Sequence, residues 1–172
     1  MTQSTLSPPL TLEKFLATPD LDASPAWELT DARADQKPMP TLFHSRVQRN
    51  LVNYINARTD RYEAIQELRC IVPPNSPVPD ISVIAVDRFS EEDRPFDGAP
   101  DWLIEVRSPD QSTLKLQSKI LHCLDQGTQL AWLIDCEGDR VWVWEGDGLP
   151  MVYDGDAVLP DLGLTLGLTV SA

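Results

Sequence analysis

The chain has 172 residues, with 14 Lys or Arg against 27 Asp or Glu, so its formal net charge is −13. Its length fits one domain, and its mixture of 42% hydrophobic and 24% charged residues is typical of a globular chain. No apolar run approaches the roughly 18 residues of a membrane span, and the beginning of the chain lacks the pattern of a secretory signal. Three widely separated cysteines cannot form a zinc site. We expect a reduced, cytoplasmic protein that does not enter a membrane.

The acidic residues are unevenly distributed along the chain. They are concentrated in residues 87–110 and 135–161, whereas basic residues outnumber acidic ones in residues 41–72 and 111–134. A net charge of this sign argues against loose binding to a polyanion such as nucleic acid. The two locally basic segments nevertheless leave room for contact with a phosphate.

The first half of the chain predicts two helices and several strands after a disordered tail at residues 1–9. Thr11 can cap a short helix over residues 12–17, and Thr41 can introduce a longer one that runs to about Arg58. The longer helix places apolar residues at the spacing of a core-facing stripe. Strands are expected at residues 26–30, directly after Asp31-Ala32, and at residues 62–72. A stiff, proline-rich connection follows at residues 73–79.

The second half alternates buried strands with one more helix. Ser112 can cap this helix, and Gly127 can end it. Strands are predicted at residues 80–86, 101–107, 130–134 and 140–145, and the alternation of residues 162–170 is typical of an edge strand. Helices interspersed with strands predict an α/β or α+β fold with a mixed β-sheet flanked by helices, formed by residues 10–172 as a single domain.

Two carboxylates fall in strands that should be buried. Asp80 opens one apolar strand and Glu105 lies in the middle of the next. A buried carboxylate is costly unless it is paired or binds a metal. If the two strands are neighbours, Asp80 and Glu105 converge, and a divalent cation between them would relieve their repulsion.

Each of these residues also has a purely structural interpretation. Glu105 could form a salt bridge with Arg107 on the same strand face or with Lys119, which borders the buried stripe of its helix. Asp80 follows Pro79 and could cap a turn, and Lys119 taken alone is a surface lysine. The occurrence of all three residues in this order along the chain favours a functional site over these separate interpretations.

The order of these motifs resembles a known family. The chain contains Trp27-Glu28-Leu29, then His44 in the first long helix, then Val78-Pro79-Asp80-Ile81-Ser82. The segment Asp101-Trp102-Leu103-Ile104-Glu105-Val106 and the helix residue Lys119 follow. This arrangement is similar to that of the Uma2 family of restriction-endonuclease-like proteins, a branch of the PD-(D/E)xK nuclease superfamily. The resemblance extends over roughly residues 10–170 and implies a restriction-endonuclease-like fold.

The resemblance also implies roles for individual residues. Asp80 and Glu105 match the metal-binding acids, with the backbone carbonyl of Val106 as a further metal ligand. Lys119 matches a catalytic lysine that has moved to the following helix, and Glu28 matches an additional N-terminal acid. His44 matches a recurrent histidine near the site, although it could equally be a histidine of the core.

Arg107 departs from the superfamily pattern. It stands two residues after Glu105, where the superfamily places a lysine. Arginine keeps its proton, so Arg107 could clamp a phosphate but could not act as a base. It could assist Lys119, or it could neutralise Glu105 and disable metal binding.

These features lead to one main hypothesis and two alternatives. The main hypothesis is a Mg²⁺- or Mn²⁺-dependent endonuclease that hydrolyses phosphodiester bonds in DNA and acts as a homodimer, because cutting both strands requires two sites. The first alternative is a catalytically inactive, nuclease-like binding or assembly module, which the acidic charge and Arg107 favour. The second is a small-molecule phosphohydrolase that uses the same site.

Overall fold

The computed structural model describes residues 8–171. The disordered tail predicted for residues 1–9 therefore lies almost wholly outside the described residues, and Pro8 and Pro9 are exposed and without regular structure. In this part of the chain, no helix is long and apolar enough to cross a membrane.

A six-stranded mixed sheet forms the centre of the fold. Its strands are β3 (Tyr62–Gln66), β5 (Ile81–Ala85), β7 (Trp102–Val106), β8 (Leu130–Asp135), β9 (Arg140–Glu145) and β10 (Met151–Asp154). They lie in the order β10-β9-β8-β7-β5-β3. Only β7 and β8 are parallel, and the other neighbours are antiparallel. The mixed sheet predicted from the sequence is thus confirmed.

Helices cover opposite faces of this sheet, as predicted. α2 (Leu42–Asn56) buries Ile55 in a cluster with Ile81, Trp102 and Trp132. On the other face, α3 (Thr113–Asp125) buries Leu116 and Ile120 beside residues of the central strands. Strands β5 and β7 are buried on both faces because they lie between these two helical layers.

Small elements surround the ends of the central strands. α1 (Leu12–Leu16) has Thr11 as its N-cap, and β1 (Trp27–Thr30) pairs with β2 (Arg33–Gln36) in a hairpin. Its turn residues Asp31 and Ala32 both have positive φ, 48° and 62°, as expected for the mirror-image turn that suits hairpins. β4 (Cys70–Ile71) pairs in parallel with β6 (Phe96–Asp97).

Three details of the sequence prediction are wrong. The strand predicted at residues 62–72 is divided into β3 and β4, because Glu67 adopts a positive φ of 51°. Strand β10 lies between the strands predicted at residues 140–145 and 162–170, where no strand was predicted. Residues 162–170 form no edge strand: Gly163, Thr165 and Gly167 all have positive φ, and this left-handed backbone is incompatible with an extended strand.

The segment after Asp161 is instead a folded loop. The carboxylate of Asp161 accepts hydrogen bonds from the backbone N–H groups of Leu164, Thr165 and Leu166. The alternating leucines that resembled a strand pack against the core cluster beneath α2. The alternation therefore reflects burial of one side of a looped segment.

Candidate active site at the end of the central strands

Asp80 and Glu105 lie side by side, as the sequence predicts. Strands β5 and β7 pair with Ile81 opposite Ile104, so continuing this antiparallel register places Asp80 opposite Glu105. Asp80 is 2% exposed and Glu105 is fully buried. Oδ2 of Asp80 accepts a hydrogen bond from the backbone N–H of Val106 at 2.8 Å, which fixes the carboxylate against strand β7.

Lys119 reaches this pair of carboxylates from α3. Side chains alternate along a strand, so Glu105 points to the same face as Leu103, which packs in the cluster of α3. Nζ of Lys119 lies 2.9 Å from Oε1 of Glu105 and 2.8 Å from Oε1 of Glu28. Lys119 is only 5% exposed, so it is no surface lysine.

Glu28 enters the site from the β1–β2 hairpin. Its Oε1 also accepts a hydrogen bond from the backbone N–H of Val78, at 2.7 Å. The hairpin is thereby joined to the proline-rich connection that precedes Asp80. The four residues assigned from the resemblance, Glu28, Asp80, Glu105 and Lys119, all lie in one buried cluster.

A second lysine, Lys37, contacts Asp80 from the other side. It follows β2 directly and is 8% exposed. Its Nζ donates three hydrogen bonds: to Oδ1 of Asp80 at 2.9 Å, to Oε2 of Glu67 at 2.6 Å and to the carbonyl of Val78 at 2.8 Å. All three ammonium protons are therefore satisfied, and two of their acceptors are carboxylates.

Helix α2 contributes two polar side chains one turn apart. Nε2 of His44 lies 3.4 Å from Oδ1 of Asp80, and its Nδ1 lies 3.3 Å from the hydroxyl of Ser108. Gln48 donates hydrogen bonds from Nε2 to Oε1 of Glu67 and to the carbonyl of Asp80. His44, Glu67 and Asp80 bring one ligand atom each to within 4.8 Å of one another, a spacing that suits a metal ion.

Burial and charge together perturb the ionisation of this cluster. Burial raises the pKa of Glu105 to about 8, although the nearby ammonium of Lys119 opposes the change. Burial would also raise the pKa of Asp80, but Lys37 and His44 outweigh it and hold this pKa well below its usual range. For Lys119, burial lowers the pKa but Glu105 and Glu28 more than compensate, so the pKa is raised.

Glu105 is the least satisfied polar group in the site. Neither of its oxygens accepts a hydrogen bond of good geometry within the described residues, despite the ion-pair distance to Lys119. Buried carboxylates normally accept hydrogen bonds, and one without them is costly. Such a group is a strong candidate for a metal ligand.

Arg107 points away from Glu105. Its Nη1 lies 3.2 Å from Oδ1 of Asp135 and 3.4 Å from Oε2 of Glu137. The salt bridge to Glu105 that the sequence left open is thus made by Lys119 instead. Arg107 neither neutralises Glu105 nor contacts Lys119, because it follows the end of β7 and turns toward the end of β8.

The acid cluster opens onto a cavity of about 470 Å³. Asp80, Lys37 and His44 line this cavity together with Glu67, Arg69 and Arg94. On the other side of the Lys37 segment, a second cavity of about 490 Å³ is lined by Glu28 and Lys119. Glu105 lines neither of these two cavities, in accordance with its complete burial.

Comparisons with known proteins agree with the resemblance seen in the sequence. A family model named Uma2 and described as "Putative restriction endonuclease" matches residues 12–172. The chain belongs to the Uma2 family. A search of curated proteins gives no match.

This Uma2 protein is also similar to a solved structure. A crystal structure titled as a "putative nuclease belonging to DUF820" from Anabaena variabilis ATCC 29413 is 38% identical in sequence. The match has a TM-score of 0.87 and covers 95% of this chain and 96% of that one. The restriction-endonuclease-like fold and a nuclease-like role are therefore supported, in agreement with the expectation from the sequence.

The site residues predicted from the sequence of this Uma2 protein do not include Lys37, Gln48 and Glu67. Gln48 could have been found, because it lies four residues after His44 and hence on the same helix face. Lys37 carries no signal of this kind: it stands between Gln36 and Pro38 and looks like an ordinary turn residue. Its burial depends on how the hairpin folds over the site.

Proposed function

We propose that this protein is a metal-dependent nuclease that hydrolyses phosphodiester bonds in DNA. The observation that carries the proposal is the placement of Asp80 and Glu105 on adjacent strands, with Nζ of Lys119 on a flanking helix 2.9 Å from Glu105. Two buried acids beside a buried lysine form an arrangement suited to phosphoryl chemistry. Membership of the Uma2 family supports the proposal.

The donor groups fit a hard divalent cation. Mg²⁺ and Mn²⁺ prefer oxygen ligands, and the cluster offers four carboxylates, those of Glu28, Glu67, Asp80 and Glu105. Glu105 has two buried oxygens without hydrogen bonds, which a cation would satisfy. Four carboxylates and two lysines leave a formal excess of negative charge that a divalent ion can balance.

Asp80 and Glu105 would hold the ion, with the carbonyl of Val106 as the additional ligand that the sequence suggests. When bound, a divalent cation lowers the pKa of its water and stabilises negative charge on the phosphate and the leaving oxygen. The N–H of Val106 holds Asp80 in place, and the Asp80–Lys37 and Glu28–Lys119 contacts fix the surrounding carboxylates.

Lys119 is assigned the role of orienting the attacking water or balancing charge on the phosphate. Its raised pKa keeps the side chain protonated at neutral pH, which suits electrostatic stabilisation of the phosphate. His44, 3.4 Å from Asp80, is assigned an accessory role at the cavity wall. Arg107 is left out of the site, because its ion pairs lead away from it.

A DNA backbone would approach through the cavity at Asp80. Arg94, whose side chain is about half exposed, lines this cavity and can contact a phosphate. Arg46 and Arg49 lie exposed on α2, the helix that carries His44. Because the chain as a whole is acidic, binding should depend on local contacts and on a metal ion rather than on long-range attraction.

The test is cleavage of supercoiled plasmid in Mg²⁺, in Mn²⁺ and in EDTA. We expect nicked and linear products with either ion, none in EDTA and none with Asp80→Asn. Asp60→Asn is the matched control, because Asp60 is exposed and forms no ion pair within the described part of the chain. Cleavage that persists in EDTA or in Asp80→Asn would contradict the proposal.

Assays on small phosphodiesters and of metal binding, added to the plasmid assay, separate the alternatives. Turnover of small phosphodiesters without plasmid cleavage would favour the small-molecule phosphohydrolase. Absence of both activities, together with absence of metal binding, would favour the inactive binding or assembly module. Conversion of plasmid directly to the linear form would support the homodimer that double-strand cutting requires, which sedimentation can test independently.

A further inference from the structure

The two carboxylate oxygens of Asp80 have different surroundings. Oδ2 is held by the N–H of Val106 on strand β7. Oδ1 is 2.9 Å from Nζ of Lys37 and 3.4 Å from Nε2 of His44. A cation that binds this side of Asp80 must therefore approach the oxygen that Lys37 already contacts.

Lys37 lies beside a group of residues that could hold a metal ion. The ligand atoms of His44, Glu67 and Asp80 are mutually within 4.8 Å, and Nζ of Lys37 contacts two of the three residues, at 2.6 Å and 2.9 Å. An ammonium and a divalent cation at such distances repel each other strongly, because little water separates them.

We propose that Lys37 is a tethered cation that competes with the divalent metal for Asp80 and must withdraw from Oδ1 when the metal binds. The proposal rests on the metal dependence proposed above and adds a residue that sets metal affinity. Lys37 is thereby a positioning residue: it keeps Asp80 ionised and ordered, and it lowers the affinity of the site for weakly binding ions.

The neighbourhood of Lys37 permits this withdrawal. Glu67 is 43% exposed at its side chain and lines the cavity, so the ammonium can keep this partner while it leaves Asp80. Gln48 holds the other oxygen of Glu67 at 2.7 Å, which keeps that carboxylate in place. Lys119 is different, since both of its carboxylate partners, Glu28 and Glu105, are buried or nearly so.

The direct test is calorimetric titration with Mn²⁺ of the full-length protein and of Lys37→Gln. Removing one positive charge beside the ligand oxygen should lower the dissociation constant for Mn²⁺ by about tenfold or more. Lys115→Gln is the matched control, because it removes the same charge from a lysine that is 71% exposed at its side chain. This control should bind Mn²⁺ as the unmodified protein does.

The outcomes distinguish this inference from the proposed function. Equal or weaker binding by Lys37→Gln, with stoichiometric binding by the unmodified protein, would overturn the inference and leave metal dependence standing. If neither protein binds Mn²⁺, both the inference and the metal-dependent function are wrong. Tighter Mn²⁺ binding by Lys37→Gln, but not by Lys115→Gln, supports the inference.

A second measurement uses the unmodified protein, in case Lys37→Gln does not fold. The Lys37 ammonium is buried and donates three hydrogen bonds, so its protons should exchange slowly enough for detection by ¹H–¹⁵N NMR. Saturation with Mg²⁺ should shift this signal or abolish it through faster exchange. A signal that does not change at saturating Mg²⁺ would overturn the proposal.

Discussion

Replacing Asp80 by Asn should destabilise the protein as well as inactivate it. The carboxylate is 2% exposed and accepts hydrogen bonds from Lys37 and from the backbone of Val106. Breaking one side of a buried ion pair typically costs about 3–5 kcal/mol. We expect the lower end, about 3 kcal/mol, because Lys37 retains Glu67 and the Asn oxygen can still accept from Val106.

This free energy corresponds to a lowering of the melting temperature by about 6–12 °C for a chain of this size. Urea denaturation and calorimetry in EDTA measure it without interference from bound metal. The double variant Asp80→Asn/Lys37→Gln also removes the buried ammonium that has lost its contact with the Asp80 carboxylate, so it should recover about 1 kcal/mol or more of the loss. Asp60→Asn serves again as the exposed control and should change stability by less than about 0.5 kcal/mol.

Two results would refute this reasoning. The first is an Asp80→Asn variant as stable as the unmodified protein, since the buried ion pair would then carry no free energy. The second is a double variant no more stable than the single one, which would show that the buried Lys37 ammonium is not destabilising once Asp80 has been replaced. In either case, the expected loss of stability could no longer be compared with the loss of activity in Asp80→Asn.

Three further predictions concern neighbouring residues. In EDTA, the free energy of unfolding should fall as pH rises from about 4.5 to about 8 and then level off, because the unfolded carboxyl loses its proton near 4.5 while folded Glu105 keeps it up to about 8. Glu105→Gln should lack this fall, and identical pH profiles would contradict the assignment. Arg107→Gln should lower the free energy of unfolding by less than about 1 kcal/mol and leave plasmid cleavage unchanged, because Arg107 pairs with Asp135 outside the cluster. Loss of cleavage in a folded variant would show that Arg107 belongs to the site. Ala32→Gly should stabilise the hairpin by about 1 kcal/mol in urea denaturation, because Ala32 has a φ of 62°; a destabilised variant would show that this backbone carries no strain.

The position of the site could be predicted because it depends on local patterns. Asp80 and Glu105 stood out as charges in apolar strands, and pairing of the two strands brought them together. Lys119 borders the buried stripe of its helix, but its role in the site was given by the resemblance to the Uma2 family. Strand alternation, which the sequence records directly, was enough to single out the two carboxylates.

The remainder of the site depends on long-range packing. Lys37 becomes buried because the β1–β2 hairpin folds back on the connection before Asp80, where Glu28 accepts from Val78. Nothing adjacent to Lys37 in the sequence indicates this contact. Likewise, the direction of Arg107 depends on Asp135, which lies in another strand and is brought near only by the parallel pairing of β7 and β8.

The error at residues 162–170 has a different cause. Alternating apolar residues fit both a strand and a loop with one buried side, and hydrophobicity alone does not distinguish them. Glycines at positions 163 and 167, with their positive φ, decide for the loop. The carboxylate of Asp161 then satisfies backbone N–H groups that a neighbouring strand would otherwise have bound.

Binding of a divalent metal ion by the cluster around Asp80 and Glu105 can be observed by anomalous diffraction from crystals of the protein grown or soaked with Mn²⁺. We expect a Mn²⁺ peak in contact with the carboxylates of Asp80 and Glu105, with Nζ of Lys37 displaced from Oδ1 of Asp80. A well-ordered cluster with no peak at these carboxylates at saturating Mn²⁺ would contradict it.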